Sequence, residues 1–262
     1  MSGAVIVGRD GAVARVTLSR PEVRNAFNAE LIADLHDAFT TLAGEPPEAL
    51  RAVVLAGEGA AFCAGADVAW MRASAALSVE DNEADARRMA EMLATIDACP
   101  APVVARVHGA ALGGGMGLCA VADVTLANAG TVFGFTETKL GILPAVISPF
   151  VIARIGEGQA RALFPGGERF GADRALRIGL VHEVLADESA LDDRVAAVVG
   201  ELLSAGPAAA RAAKAIIRDQ RGLSPAEKQS LTVGAIARQR VSPEGQEGLT
   251  AYLDKRPAAW RE

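Results

Sequence analysis

Two short apolar segments of this chain each run into a glycine-rich turn, and this arrangement constrains the fold more than any other feature. Residues 51–56 precede the turn AFCAGAD at 61–67, and residues 103–107 precede the turn HGAALGGGMG at 108–117. A strand that ends in glycine-rich backbone and opens a helix exposes unpaired N–H groups at the positive end of that helix. Such groups can bind a phosphate, or the oxygen of an enolate or tetrahedral intermediate. From spacing alone, glycines that only permit tight turns and close packing are an equal alternative.

The second turn is a poor match to a nucleotide-binding site. The dinucleotide pattern G-x-G-x-x-G would need glycine at position 118 or 120, where the chain has Leu118 and Ala120. Neither turn is followed by the Gly-Lys-Ser/Thr of a P-loop. Because both nucleotide-binding patterns are absent, the sequence argues against a hydride-transfer enzyme and a P-loop ATPase.

The order of the predicted elements indicates an α/β fold. Asn28 is a predicted N-cap for a helix that ends at 44–47, and strands alternate with helices as far as Ala127, which predicts largely parallel pairing. The strands are expected at 4–7, 12–18, 51–56, 103–107, 123–127 and 132–133. From about Ser148 the chain reads as mostly helical, with a hinge at 204–207. We therefore predict a core of residues 1–203 and a C-terminal helical module of residues 204–262.

Charge and cysteine content restrict the partners and the compartment. The chain has 26 Lys and Arg against 32 Asp and Glu, and 4% aromatic residues, which argues against a nucleic-acid-binding surface. Its three cysteines (Cys63, Cys99 and Cys119) form no C-x-x-C pair, and no histidine has metal-ligand spacing, so we expect neither disulfides nor a metal site. No signal peptide and no membrane span are expected, so the predicted location is the cytoplasm.

Glu137 lies in an otherwise apolar, turn-rich segment, FGFTETKLGILP at 133–144. Burial raises the pKa of a carboxyl group and suits it to proton transfer near neutral pH. A surface carboxylate paired with Lys139 is the ordinary alternative for a lone glutamate.

Five segments resemble the motifs of one family, the enoyl-CoA hydratase/isomerase (crotonase) superfamily, and occur in that family's order over nearly the whole chain. They are SRPEVRNAFN at 19–28, FCAGAD at 62–67, ALGGG at 111–115, the segment 133–144, and YLDKR at 252–256. The resemblance implies a spiral of repeated ββα units, with C-terminal helices that build a homotrimer or a dimer of trimers. It also implies an acyl-CoA substrate, with coenzyme A entering as part of the thioester and no separate cofactor.

The resemblance assigns roles to particular residues. It implies that the thioester oxygen lies between the N–H groups of Ala64 and Gly114, and that Glu137 exchanges a proton with the substrate α-carbon. The rest of the first turn, Gly65, Ala66 and Asp67, is expected to bind substrate, although Asp67 also suits a helix cap. The adenine and phosphate end of coenzyme A is assigned to Arg24 and, from a neighbouring subunit, to Tyr252 and Lys255. Trp70 and Met71 are candidates for the acyl pocket or for core packing.

Gly117 departs from the family pattern, because two-carboxylate hydratases carry a second glutamate at that position. A single carboxylate leaves three alternatives: hydration with Glu137 as principal acid/base, helped by a substrate carboxylate or another pocket residue; Δ3,Δ2-enoyl-CoA isomerisation; or binding of CoA esters without turnover. The segment AVISPFV at 145–151 replaces the usual G-x-x-G-T and, with Gly117, resembles 3-methylglutaconyl-CoA hydratases. We therefore expect hydration, with a 3-methylglutaconyl-type substrate as the first candidate.

Overall fold

The computed structural model describes residues 3–261, which form nine β-strands and ten α-helices. The strands are β1 (Val5–Asp10), β2 (Val13–Leu18), β3 (Ala52–Gly57), β4 (Val103–Val107), β5 (Ala110–Leu112), β6 (Val124–Asn128), β7 (Val132–Gly134), β8 (Arg169–Gly171) and β9 (Glu183–Leu185). The helices are α1 (Ala29–Ala43), α2 (Val68–Ser74), α3 (Val79–Asp97), α4 (Gly114–Val121), α5 (Ser148–Leu163), α6 (Ala172–Arg177), α7 (Glu188–Ser204), α8 (Pro207–Asp219), α9 (Pro225–Val241) and α10 (Pro243–Leu253).

The larger of two sheets has six strands in the order β1-β2-β3-β4-β6-β9. Only the β1–β2 pair is antiparallel, and every other pair in this sheet is parallel. The run from Ala52 to Ala56 is buried throughout, as expected for a parallel strand covered on both faces. On one face α7 packs Leu191 and Val195 against Val54 and Val104, and the main core lies on the other face.

A second sheet of three strands, β5-β7-β8, explains how the chain spirals. In β4-β5-α4 and again in β6-β7-α5, the first strand joins the large sheet and the second joins the small one. The predicted α/β fold of repeated ββα units is therefore confirmed. The short strands β5 and β8 were not among the predicted strands, since three residues are too few to show an alternating pattern.

Local sequence signals account for the element boundaries. The side chain of Asn28 accepts a hydrogen bond from the N–H of Leu31 at 2.9 Å, so the predicted cap of α1 is confirmed. The polar segment 73–90 forms the end of α2, a short turn and the first part of α3. Helix α3 is anchored by Leu93 and Ile96, which are fully buried.

The C-terminal helices are fixed to the core by basic side chains that bind backbone oxygens. Arg51 donates hydrogen bonds to the carbonyl oxygens of Leu203 and Trp260, and Arg211 donates to that of Leu50. Helix α7 ends at Ser204, one residue past the predicted boundary after residue 203, and α8 begins at Pro207. The division into a core and a C-terminal module stays a prediction. Within residues 3–261 no single helix is long and apolar enough to span a membrane, and only α7 with α8, bent by 104°, meet that criterion as a pair.

Candidate active site

The two glycine-rich turns meet, as the parallel sheet requires. Cys63 forms a parallel bridge with Ala111, and its N–H and carbonyl bind the backbone of Ala110 and Leu112 at 3.0 Å each. Gly65 has a φ of +98°, and a Cβ at this position would lie 3.2 Å from the carbonyl oxygen of Leu112. Glycine is therefore needed both for its backbone conformation and for this close approach.

The N–H of Ala64 does not face the site, so its predicted role as an oxyanion donor is wrong. It donates a hydrogen bond to the carbonyl oxygen of Arg24 at 3.0 Å. Phe27 pairs with Ala66 in a parallel bridge, in which Phe27 donates to Gly65 and accepts from Asp67. Because successive N–H groups of extended backbone alternate in direction, the N–H of Ala66 points away from Phe27. No hydrogen bond among the described residues uses it.

Gly114 supplies a second free donor. It is the first residue of α4, so its N–H has no acceptor within the helix, and the structured part of the chain offers none elsewhere. Gly114 is buried, and a Cβ here would lie 2.7 Å from the Phe27 ring. The N–H groups of Ala66 and Gly114 are thus two donors that the turns leave open, one from each turn.

Glu137 lies on a short 3-10 helix, Thr136–Leu140, directly beside the second turn. A Cβ on Gly113 would be 3.4 Å from its Oε1, while its Oε2 is buried without a hydrogen-bond partner among residues 3–261. Burial raises the pKa of Glu137 above its ordinary value. The alternative of a surface pair with Lys139 is wrong, because no such ion pair occurs in the described structure and Lys139 is exposed.

A cavity of about 270 Å³ joins these groups. Glu137 is the only ionisable side chain among the residues that line it. The cavity has an otherwise apolar wall that includes the predicted pocket residues Trp70 and Met71. The remaining lining residues are Phe27, Ala64, Gly65, Ala66, Met89, Gly113, Gly114, Thr136, Leu140, Ile142, Leu143, Pro144, Ala145, Val146 and Ile147. The arrangement can bind an apolar acyl group, stabilise negative charge on one oxygen and exchange one proton.

Asp67 has a structural role at the edge of the site. Its Oδ1 accepts the N–H of Ala69 at 2.7 Å and caps α2, while its Oδ2 pairs with Arg20 at 2.8 Å. Arg20 lowers the pKa of this carboxyl group. The cap is confirmed. Both side-chain oxygens are engaged and Asp67 does not line the cavity, and its contact with substrate stays a prediction.

The residues assigned to coenzyme A lie outside the cavity. The side chain of Arg24 is exposed, and its backbone has a φ of +53°. Tyr252 is 82% exposed at the end of α10, and Lys255 is also exposed. Their contact with coenzyme A stays a prediction.

The side chain of His108 lies between a neighbouring guanidinium group and a backbone carbonyl, outside the lining of the cavity. Its Nδ1 lies 3.0 Å from Nη1 of Arg106, which can only donate, so Nδ1 accepts and Nε2 donates to the carbonyl oxygen of Gly59 at 2.8 Å. Across residues 3–261 no group of three or more His, Cys, Asp or Glu side chains is placed to hold a metal ion.

The sequence did not predict that Ile147 lines the cavity. Its only indication was that segment 145–151, which contains Ile147, departs from the family pattern. Ile147 lines the cavity, is 2% exposed, and packs directly over Gly117. A Cβ on Gly117 would lie 2.6 Å from Cγ2 of Ile147. A side chain at position 117 is therefore excluded while Ile147 keeps its place.

Known proteins are similar to this chain in sequence. The family model described as enoyl-CoA hydratase/isomerase matches residues 8–262. A crotonyl-CoA hydratase of Syntrophomonas wolfei is 31% identical over 256 residues, which cover 97% of this chain and 96% of that protein. The chain belongs to the enoyl-CoA hydratase/isomerase family, within the crotonase superfamily, as the motifs predicted.

Solved structures agree at the level of the whole fold. An enoyl-CoA hydratase from Shewanella pealeana matches with a TM-score of 0.93 at 34% identity, over 98% of this chain and 96% of that one. Pseudomonas aeruginosa AtuE matches with a TM-score of 0.95 at 36% identity, over 99% and 100% of the two chains. The chain is thus an enzyme of this family, and residues 3–261 have its fold.

Proposed function

We propose that this enzyme adds water to an enoyl-CoA thioester, with Glu137 as its single acid/base. The observation that carries the proposal is the buried, unpartnered Oε2 of Glu137 beside the turn that presents the N–H of Gly114. Relatives named as enoyl-CoA and crotonyl-CoA hydratases support the same reaction.

Charge stabilisation is assigned to the N–H groups of Ala66 and Gly114. As water adds to C3, negative charge moves to the thioester oxygen, and two preorganised donors stabilise the enolate that forms. Loss of one such donor typically raises the barrier by about 2.7–4 kcal/mol. Both N–H groups are left free by the fold, which supports this assignment.

Glu137 is assigned both proton transfers. Its carboxylate accepts a proton from the water whose oxygen bonds to C3, and the resulting carboxylic acid then protonates C2 of the enolate. The product is a 3-hydroxyacyl-CoA, and the enzyme returns to its starting state. The raised pKa of Glu137 supports this role, because a base that must also act as an acid works best with a pKa near the ambient pH.

For the acyl group we propose a 3-methylglutaconyl-type substrate. With Gly117 lacking a side chain, a substrate carboxylate next to C3 can hydrogen-bond the attacking water in place of a second glutamate. Because no basic side chain lines the cavity, this carboxylate would have to keep its contact with water.

Double-bond isomerisation is the second candidate, and the solitary carboxylate of the cavity favours it. A Δ3,Δ2-enoyl-CoA isomerase needs only one group that removes a proton at C2 and returns it at C4. Glu137 could do both without a second acid or a bound water.

The test compares four thioesters with wild type and Glu137→Gln, following the ultraviolet absorbance of the conjugated enoyl group. The esters are crotonyl-CoA, 3-methylcrotonyl-CoA, 3-methylglutaconyl-CoA and 3-hexenoyl-CoA. The second and third differ only by a carboxyl group, so their ratio isolates its effect. The exposed Glu157→Gln serves as the control variant.

We expect hydration of 3-methylglutaconyl-CoA, lost by about 10²–10⁴-fold in Glu137→Gln and unchanged in Glu157→Gln. Conversion of 3-hexenoyl-CoA alone would assign the isomerase. Binding of all four esters without turnover would leave a CoA-ester-binding protein and contradict the proposal.

We also propose a cytoplasmic homotrimer or dimer of trimers that binds coenzyme A through Arg24 and, across the subunit boundary, Tyr252 and Lys255. Large apolar side chains exposed on the C-terminal helices support self-association: Val233, Ile236, Val241, Leu249 and Leu253. Light scattering during size-exclusion chromatography tests it, and a monomer at micromolar concentration would contradict it.

A further inference from the structure

Ile147 separates the substrate cavity from Gly117. Its side chain lines the cavity together with Glu137, whereas Gly117, on α4, is buried and is not among the lining residues. A Cβ on Gly117 would lie 2.6 Å from Cγ2 and 3.2 Å from Cβ of Ile147, with Cδ2 of Leu93 next at 3.4 Å. The space over Gly117 is therefore filled by Ile147 and, behind it, by Leu93.

The fit depends on the size of both residues. Ile147 keeps its place only because position 117 has no side chain, since any Cβ there would approach closer than packed carbon atoms can. Ile147 forms part of the apolar wall of the cavity that Glu137 also lines. Ile147 is also the N-cap residue of α5, without a side-chain cap hydrogen bond, so its side chain is free to serve packing.

We propose that Ile147 is a specificity-determining residue, which, held in place by Gly117, limits the length of acyl chain that the cavity accepts. The inference rests on the proposed function in one respect: the cavity must hold the acyl part of a CoA thioester. Shortening Ile147 joins the space over Gly117 to the cavity and makes room for further methylene groups.

The first experiment measures kcat/KM of wild type, Ile147→Val and Ile147→Gly for 2-enoyl-CoA esters of increasing chain length. Glycine is compatible with the start of the helix because an N-cap tolerates it, whereas loss of the buried side chain is expected to lower stability. We expect the ratio of long-chain to short-chain kcat/KM to rise by roughly tenfold or more in Ile147→Gly, and by less in Ile147→Val. The matched control is Ile32→Ala on α1, since Ile32 is also 2% exposed but lies outside the cavity lining.

A second experiment tests the coupling between the two positions by thermal unfolding. Gly117→Ala should lower Tm clearly in the wild-type background and much less in the Ile147→Gly background, a non-additive result that is expected of two residues in contact. Equal effects of Gly117→Ala in both backgrounds would overturn the contact. If Ile147→Gly does not fold, Ile147→Val still decides the acyl-length question.

The outcomes distinguish this inference from the proposed reaction. An unchanged acyl-length ratio in the Ile147 variants, or one that shifts no more than in Ile32→Ala, overturns the role of Ile147 even if wild type is an active hydratase. If wild type turns over no ester, the same ratio is taken from the dissociation constants of saturated acyl-CoA esters, which need no reaction. An unchanged ratio there also overturns it.

Discussion

Arg20 and Asp67 lie 47 residues apart in the sequence, yet Nη2 of Arg20 donates to Oδ2 of Asp67 at 2.8 Å. Both side chains are largely buried, with 16% and 11% exposure. Arg20 also donates to the carbonyl oxygen of Ala26. The pair thus ties the segment around Phe27 to the turn that carries Ala66, and holds one free N–H group in place.

We expect Asp67→Ala to destabilise the fold more than Asp67→Asn does. Alanine loses the helix cap, which contributes about 1 kcal/mol, and asparagine keeps it. Both lose the charge that pairs with Arg20. Urea unfolding measures the free energies, and equal losses in the two variants would contradict the cap.

The contribution of the Arg20–Asp67 pair should depend on pH in a stated direction. Arg20 lowers the pKa of Asp67, so the ionised carboxylate stabilises the folded state at neutral pH, and this contribution is lost as pH falls through the lowered pKa. The difference in unfolding free energy between wild type and Asp67→Asn should stay constant from pH 7 to about pH 5 and shrink below about pH 4. A constant difference down to pH 2 would contradict the ion pair.

Glu137 should give the opposite pH dependence of stability. Burial raises its pKa, so the folded protein holds this proton more tightly than the unfolded chain, and stability decreases as pH rises through the raised pKa. We expect Glu137→Gln to unfold at a higher Tm than wild type at pH 8, with the difference in Tm decreasing towards pH 4.

The rate of hydration should fall as pH decreases from 8 to 4, because the carboxylate form of Glu137 is the base. Glu157→Gln should follow wild type in both measurements.

Gly114→Ala should reduce both activity and stability. The new Cβ would lie 2.7 Å from the ring of Phe27 and 2.8 Å from Cε of Met89, so the ring must move and the turn with it. Overpacking of this kind typically lowers the free energy of unfolding by about 1–3 kcal/mol. The control is Gly158→Ala on α5, where a Cβ meets nothing within 4 Å and helix propensity predicts a small gain. Wild-type activity in Gly114→Ala would contradict the role of this turn.

The three cysteines should be unreactive in the folded enzyme. All are free and buried, and burial raises the pKa of the Cys63 thiol to about 12. Since the thiolate is the reactive form, an aromatic disulfide reagent at pH 8 should label none in the native state and three in urea. Rapid labelling of one thiol without denaturant would contradict the burial.

Much of this architecture could be predicted because it depends on local patterns. The apolar run of β4 and the cap of α1 each appear within a few neighbouring residues, and the structure places both where the sequence did. The apolar surroundings of Glu137 were also visible in the sequence, since Phe133 and Phe135 closely precede it and both are buried. Whether Glu137 faced a cavity or paired with Lys139 was left open by the sequence.

What the sequence could not provide depends on pairing between distant segments. Ala64 and Ala66 are identical residues in the same turn, so the sequence does not distinguish their N–H groups. The bridge between Phe27 and Ala66 determines which of the two N–H groups faces the cavity. Ile147 could not be paired with Gly117 for the same reason, because nothing in the 29 intervening residues encodes their contact.

The alternation of peptide direction along residues 64–67 has a consequence for sequence length. Removing or inserting one residue between Ala64 and Asp67 would turn every following N–H to the opposite side, whatever the new letters were. Substitutions by small residues keep the N–H of each position on the same side, whereas a single-residue deletion reverses it. We therefore expect this turn to keep its length, together with Gly65 and Asp67, and to tolerate single-residue deletions poorly.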